Sequence, residues 1–204
     1  MKRVVITINR QYGSGGKTIG YMLAEKLGIP CYSREILQRA SEESGINESM
    51  FNARDERLKR LPKFLLSTNV YSGELLPPES KEFTSDQNLF NYEAEIIKKY
   101  AAEGSCVLIG RCADFVLKDD PDMISVYVHA DHDFQMKSAL ESVKIREKEM
   151  EKYIERTNKY RSDFYHYHTG RNWDDAENYD LCINSGKLGF EKTVELIESY
   201  INIK

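Results

Sequence analysis

The chain has 204 residues, 41% of them hydrophobic, and a formal net charge of -4. That length suits one domain with room for a lid or an insertion, and the hydrophobic share excludes a chain that is disordered throughout. A mildly acidic total excludes a global attraction to nucleic acid or anionic membrane, so neither is expected as a partner.

In chain order, residues 4–8 ("VVITI") are expected as a short buried strand. Residues 17–27 follow as a helix, with Ile19, Leu23, Ala24 and Leu27 at helical spacing and Gly28-Ile29-Pro30 as its stop. Cys31-Tyr32 is a candidate for a very short second strand, and Ser33 a candidate N-cap for a helix over 34–43. Asn47 can cap a further, highly charged helix through Arg60.

Residues 61–85 carry Pro62, Gly73, Pro77 and Pro78 among Ser and Thr, and are expected as an irregular insertion. A helix opens at Asp86 or Asn88 and runs to about Glu103. Residues 106–109 and 123–128 are continuous apolar strands, and Asp131 can cap the helix after the second. Residues 141–161 are dense in Lys, Arg and Glu; 180–184 ("DLCIN") form a last strand and 190–203 a closing amphipathic helix. Short apolar runs alternating with helices imply a parallel sheet covered on both faces, with ligands at the carboxyl ends of its strands.

No run of ~18 apolar residues is present for a membrane span, and the apolar stretch after Lys2-Arg3 is too short for a signal peptide. Cys31, Cys106, Cys112 and Cys182 form no C-x-x-C pair and no closely spaced zinc set; they are expected as small buried hydrophobes in a reducing cytoplasm. His129, His132, His166 and His168 form no metal spacing, and the last two, two residues apart, are expected at the surface.

The loop after the first strand reads "RQYGSGGKT". Gly13, Ser14, Gly15 and Gly16 allow successive N–H groups to turn inward as an anion nest, and the next helix adds its N-terminal donors. Lys17 can reach β- and γ-phosphate oxygens, and Thr18 can offer a hydroxyl to Mg²⁺. A glycine turn that only caps the helix is the alternative. Two registers stay open. In G-x-x-x-x-G-K-[ST], Gly16-Lys17-Thr18 closes the motif and Gln11 stands at its first glycine. In G-x-x-G-x-G-K, Arg10 takes the first glycine slot, Gly16 the lysine slot, and Lys17 falls ~100° around the helix from the usual lysine, so that Arg10 could supply part of the charge.

Together "ITINRQYGSGGKTIG", "LAEKLGIPCYSREIL", "CVLIGRCADFVL", "TNKYRSDFYHYHTGRNW" and "NYDLCINSGKLG" resemble the cytidylate-kinase-like family of P-loop kinases. The resemblance implies one α/β domain over 1–204 with a three-layer nucleoside-monophosphate-kinase-like fold. A parallel sheet of about five strands is flanked by helices, with an acceptor-binding helical region at 31–85 and a helical lid at about 141–172. It implies ATP as co-substrate, Mg²⁺, and a nucleoside monophosphate as acceptor, CMP or dCMP foremost. Two positions depart from the family pattern: Ser33 and Asn158 stand where Asp is common.

The resemblance also assigns roles. Arg111, in "IGRCAD" after the third strand, matches the Gly-Arg that clamps the acceptor phosphate; the bland alternative pairs it with Asp114 or Asp119. Asp114 can orient Arg111 or a metal-bound water, and Arg34 and Arg39 can touch an acceptor. Asp180 matches a residue that bonds the cytosine amino group, or else caps the strand turn. Arg146, Arg156, Lys159, Arg161 and Arg171 are lid candidates, with Lys17, Arg111 and Arg161 as the catalytic cations. The rings of "DFYHYHTGRNW" either stack a base or pack the lid on the core. A nucleotide-binding protein with little transfer, or a kinase for another small acceptor, are the rival readings.

Overall fold

The computed structural model describes residues 2–60, 68–143 and 145–204. Five parallel strands form one sheet: β1 (Val5–Arg10), β2 (Cys31–Tyr32), β3 (Cys106–Ile109), β4 (Met123–His129) and β5 (Leu181–Asn184), in the order β2-β3-β1-β4-β5. β1 is central, with Ile8 paired to Ile109 on one side and to Val126 on the other. The chain leaves β1 for the edge strand β2, returns to β3, then crosses to β4. The crevice above β1 and β3 is therefore the switch point, where such sheets bind ligands.

Both faces of β1 are buried, which explains its unbroken apolar run. Val5 points to one layer, packed with α2 (Glu35–Ser44) and α4 (Asp86–Glu103) through Ile36, Leu89 and Ile97. Ile6 and Ile8 point to the other, against Ile19 and Leu23 of α1 (Gly16–Leu27) and Val194 and Ile197 of α9 (Phe190–Ile203). Each such side chain contributes about 1.5–3 kcal/mol of burial, so the period-2 alternation of β1 fixes its register between the two layers. The three-layer fold and the closing helix agree with the sequence reading.

Several local expectations change. Ser33 is not a cap: α2 starts one residue later, Arg34 occupies the N-cap position, and the Ser33 N–H donates to Glu35 Oε2 at 2.8 Å. The α4 cap is Ser85, whose hydroxyl accepts from the Asn88 N–H at 3.2 Å. Asn47 does cap α3 (Glu48–Arg60) through the Ser49 N–H at 2.9 Å. Asp131 holds the N-cap position of α6 (His132–Ser142), but its carboxylate accepts from Asn184 Nδ2 at 3.0 Å instead of from the helix. Two four-residue helices, α5 (Ala113–Val116) and α8 (Ser185–Leu188), were not expected, because one turn carries no periodicity.

The charged stretch belongs mostly to α7 (Glu147–Thr169), a 23-residue helix. Its polar look conceals an apolar stripe, with Met150 and Ile154 packed on Ala139 of α6, and Phe164 and Tyr165 in a second cluster with Phe90 and Trp173. The rings of the "DFYHYHTGRNW" segment thus pack α7 onto the core. His168 is buried there, its ring 3.8 Å from that of Phe90, so the surface expectation fails. Residues two apart on a helix face different ways, and only His168 falls on the inner stripe.

Of the irregular insertion, residues 61–67 lie outside the described residues. Its later part is strapped down: the N–H groups of Asn69 and Tyr71 donate to the carbonyls of Tyr167 and His168, both at 2.9 Å. Cys106 and Cys112 are buried as expected, whereas Cys182 is exposed. Among the described residues no helix is long and apolar enough to cross a membrane.

Candidate phosphate-binding cleft

The loop between β1 and α1 is built on two left-handed glycines, Gly13 (φ 78°) and Gly15 (φ 75°). At Gly13 a side chain is also excluded by space, since a Cβ there would lie 2.5 Å from the Gln135 carbonyl oxygen of α6. Ser14 is fully buried, its hydroxyl donating to the Gln11 carbonyl at 2.8 Å. The first-turn amides of α1 have no intrahelical partner and carry the positive end of the helix dipole, so the loop is shaped to receive an anion.

Amide side chains lock this loop to α7 and α6. Asn158 Oδ1 on α7 accepts the Tyr12 N–H at 2.7 Å, and Gln135 Nε2 donates to Gln11 Oε1 at 2.9 Å. Gln11, at the position where the longer motif wants glycine, is thus an anchor between the loop and α6. Tyr12 packs edge-on against Tyr153 of α7, ring centroids 5.1 Å apart.

Beside the loop, at the carboxyl ends of β1, β2 and β3, lies a cleft of about 670 Å³. Arg10, Arg111 and Arg161 converge on it, and Arg34 and Arg156 stand at its mouth. The only carboxylate among its described lining residues is Glu56. Tyr160, Phe164 and Trp173 supply aromatic wall. Arg161 donates to the Arg10 carbonyl at 2.8 Å, and burial lowers its guanidinium to about 10.

Arg111 is held in an unusual way. Gly110, Arg111 and Cys112 all take left-handed backbone, with φ of 74°, 57° and 53°. For the two non-glycine residues this costs roughly 1–2 kcal/mol each. It persists because Arg111 is gripped by Asp55 of α3 at 2.7 Å and faces Glu93 of α4 at 3.6 Å. Arg54, wholly buried, bridges the same two carboxylates at 2.7 and 2.6 Å. Burial opposes the charge on Arg111, but Asp55 and Glu93 outweigh it and hold the guanidinium more firmly charged than usual. Burial also works against the Asp55 carboxylate, and Arg111 and Arg54 overcome it, holding its acidity well below the ordinary carboxylate range. Two guanidiniums and two carboxylates sum to zero charge, which is how such a set survives burial.

Sequence reasoning missed Arg54, Asp55 and Glu93. A signal existed for two of them: Arg54 follows buried Phe51 by three residues, and Glu93 lies between buried Phe90 and Ile97 at helical spacing. A charge on an apolar stripe is a charge with a partner.

Other expected site residues lie elsewhere. Lys17 is exposed, its Nζ 5.6 Å from the Tyr21 ring centroid, so it runs along α1 away from the loop. Asp114 orients no arginine; it is buried and accepts from Asn9 Nδ2 at 2.9 Å and from the Tyr165 hydroxyl at 2.6 Å. Asp180 precedes β5, at the opposite edge of the sheet from the cleft. There it accepts from the Ser125 N–H at 2.8 Å and takes the turn-capping role. Arg171 shares that far edge, 5.2 Å from the Phe115 ring centroid. Arg39 pairs with Glu43 and Glu103, Arg146 with Glu149 and Lys159 with Asp163, none of them lining the cleft. Arg34 pairs with Glu48 at 3.7 Å while remaining exposed at the mouth.

Thr18 is exposed in the first turn of α1. Among the described residues no three His, Cys, Asp or Glu are grouped to enclose an ion. A Mg²⁺ carried in on phosphate oxygens would ask the protein for only one or two oxygens, and the exposed Thr18 hydroxyl is an oxygen of that kind.

The model of the cytidylate kinase-like family matches residues 5–187. Among solved structures, an uncharacterized protein from Eubacterium ventriosum ATCC 27560 is 26% identical, with a TM-score of 0.72 over 99% of this chain and 100% of that one. A shikimate kinase from Bacteroides thetaiotaomicron is 13% identical with a TM-score of 0.55, covering 98% of each chain. Another from Acinetobacter baumannii, solved in complex with shikimate, is 14% identical with a TM-score of 0.51, covering 98% of this chain and 93% of that one. At these identities the two kinases share the fold. No curated protein matches the chain.

Proposed function

The chain belongs to the cytidylate kinase-like family, and on that premise we propose that it is a P-loop phosphotransferase. In this reading it moves the γ-phosphoryl group of ATP to a nucleoside monophosphate, with CMP or dCMP as the preferred acceptor. The backbone amides of the loop at 13–18 hold the donor phosphates, with the Lys17 side chain outside the site, Arg111 clamps the acceptor phosphate, and Arg161 covers the transferring group. Arg156 stands at the mouth as the second lid cation. An oxygen of the acceptor phosphate attacks the γ-phosphorus, the bond to the β-phosphate oxygen breaks, and ADP leaves with that electron pair. Mg²⁺, held through phosphate oxygens and the Thr18 hydroxyl, would neutralise charge on the donor.

The observation that carries this reading is the charge of the cleft: among the described residues, five arginines line it against one carboxylate, Glu56. A phosphate acceptor arrives already ionised and needs positioning and charge neutralisation, not a general base. A hydroxyl acceptor needs a base, and three other carboxylates close by are bound up, Asp55 and Glu93 with arginines and Asp114 with Asn9 and Tyr165. The choice of cytosine rests on the family likeness, since Asp180 is remote from the cleft.

An ADP-release assay across nucleoside monophosphates, shikimate and dephospho-coenzyme A tests the proposal. Turnover with a nucleoside monophosphate supports it, and turnover with shikimate alone overturns the choice of acceptor. One observation favours a second reading, a nucleotide-binding protein with little transfer: Lys17 is turned away from the loop. ATP binding by calorimetry without turnover of any acceptor would select it.

A further inference from the structure

Lys17 points away, but the lysine slot of the shorter motif is not empty of charge. In that register the slot is Gly16, and Gly16 has no room for a side chain. A Cβ there would collide with the Arg10 Cβ, lie 3.0 Å from Arg10 Cγ and 3.3 Å from Val128 Cβ. The stem of Arg10 therefore occupies the path that a side chain from the start of α1 would take. Its guanidinium continues across Gly110, where a Cβ would again collide with it, at 3.3 Å from Cζ even before the nearer nitrogen is reached.

The guanidinium ends at the cleft with an unusual set of neighbours. Its Nε is buried without a hydrogen-bond partner. Burial, then Arg161, then Arg111 press against its positive charge, Tyr160 acts the other way to a smaller extent, and among the described residues no carboxylate is one of the groups acting on it. A guanidinium does not shed its proton under ordinary conditions. Such a group, buried among like charges, is a demand for an anion.

We infer that Arg10, from the end of β1, supplies the donor-phosphate charge that P-loop enzymes ordinarily carry on the lysine opening the helix, and that Gly16 is glycine so that the Arg10 stem can pass. The inference rests on the chain acting on ATP, and it names which cation of this chain meets the β- and γ-phosphates. It makes the loop a permuted form of the motif: the charge moves from the residue after the glycines to the residue before them, while the backbone nest stays. The two sites exchange a side chain for a hydrogen, so that one position can be filled only when the other is vacated.

Calorimetric ATP–Mg²⁺ titration and steady-state turnover of four variants test this. Arg10→Gln keeps much of the volume and removes the charge; it is expected to weaken ATP binding by about tenfold or more and to lower kcat by about 100-fold. Lys17→Ala is expected to change both by less than about threefold, the scale of a solvated surface charge. Gly16→Lys alone is expected to lose ATP binding through the collision with Arg10. Joined to Arg10→Gly, it is expected to recover ATP binding, because the lysine then enters the vacated path. Thermal melting of each variant separates loss of the site from loss of the fold. ATP binding that depends on Lys17 and survives Arg10→Gln overturns the inference alone. A failed recovery in the folded double variant does the same. Wild-type protein that binds no ATP overturns both the inference and the kinase reading.

Discussion

The Asn158 side chain accepts the Tyr12 N–H at 2.7 Å, joining the middle of α7 to the loop that follows β1. The family resemblance leads one to expect Asp at this position, and the amide oxygen already makes the contact that a carboxylate oxygen would make. Asn158→Asp is therefore expected to change turnover by less than about threefold. Asn158→Leu leaves a backbone donor without its partner and is expected to lower stability by about 1–3 kcal/mol. Urea unfolding and steady-state kinetics of the two variants check this pair.

Arg111→Lys keeps a positive charge between Asp55 and Glu93 but loses the planar fork. Removing the guanidinium altogether would leave two buried carboxylates sharing one partner, so the lysine variant is the cleaner probe. Its expected effect is a rise in the acceptor KM of about tenfold, with ATP affinity unchanged. A parallel calorimetric titration with ATP separates the two sites.

The Asp55 carboxylate is more acidic in the folded protein than in the unfolded chain, where its value is about 3.9. Its stabilising contribution is thus fully present above about pH 4–5 and is lost as the pH falls toward its folded value. Asp55→Asn is expected to cost about 3–5 kcal/mol at pH 7, because Arg54 and Arg111 lose a buried partner. The gap between variant and wild type should narrow as the pH drops below about 4. Denaturant unfolding curves at a series of pH values provide the measurement.

Gly13 faces two separate obstacles to substitution: its backbone is left-handed, and an added methyl carbon would stand 2.5 Å from the Gln135 carbonyl oxygen. Gly13→Ala is expected to destabilise the protein by more than about 1–2 kcal/mol, the backbone contribution alone. It should also reduce ATP binding, since relief requires the loop to move off α6. Thermal melting with and without ATP distinguishes a loop that is merely strained from one that has lost its ligand.

What the sequence disclosed depended on how many residues carried each signal. β1, β3 and β4 were legible as unbroken apolar runs, and α9 as fourteen residues of clean periodicity. The loop was legible because glycine, strand and helix signals coincide within a dozen positions. The orientation of Lys17 was not, because the two registers of the motif place its side chain on different sides of the helix. Nor was the left-handed run at Gly110, Arg111 and Cys112, since two of its three residues give no sign of that conformation. Charges misled most. Arg54 and Glu93 sit on helices whose composition suggests water, yet tertiary packing places both in the interior. Asp180 and Arg171 fell on family-like segments, and only the sheet's direction puts them at its far edge.

The Ser185 hydroxyl of α8 donates to the carbonyl of Ser14 at 2.6 Å, a link between residues 171 positions apart. During synthesis Ser14 leaves the ribosome well before Ser185 does. The loop around Ser14 thus precedes its fastener and is held in this way only once α8 has emerged. A ligand that needs the fastened loop would stabilise only a chain that already carries α8, by mass action on the native state. A chain cut short before α8 lacks that hydrogen bond, so its loop is held by one fewer contact.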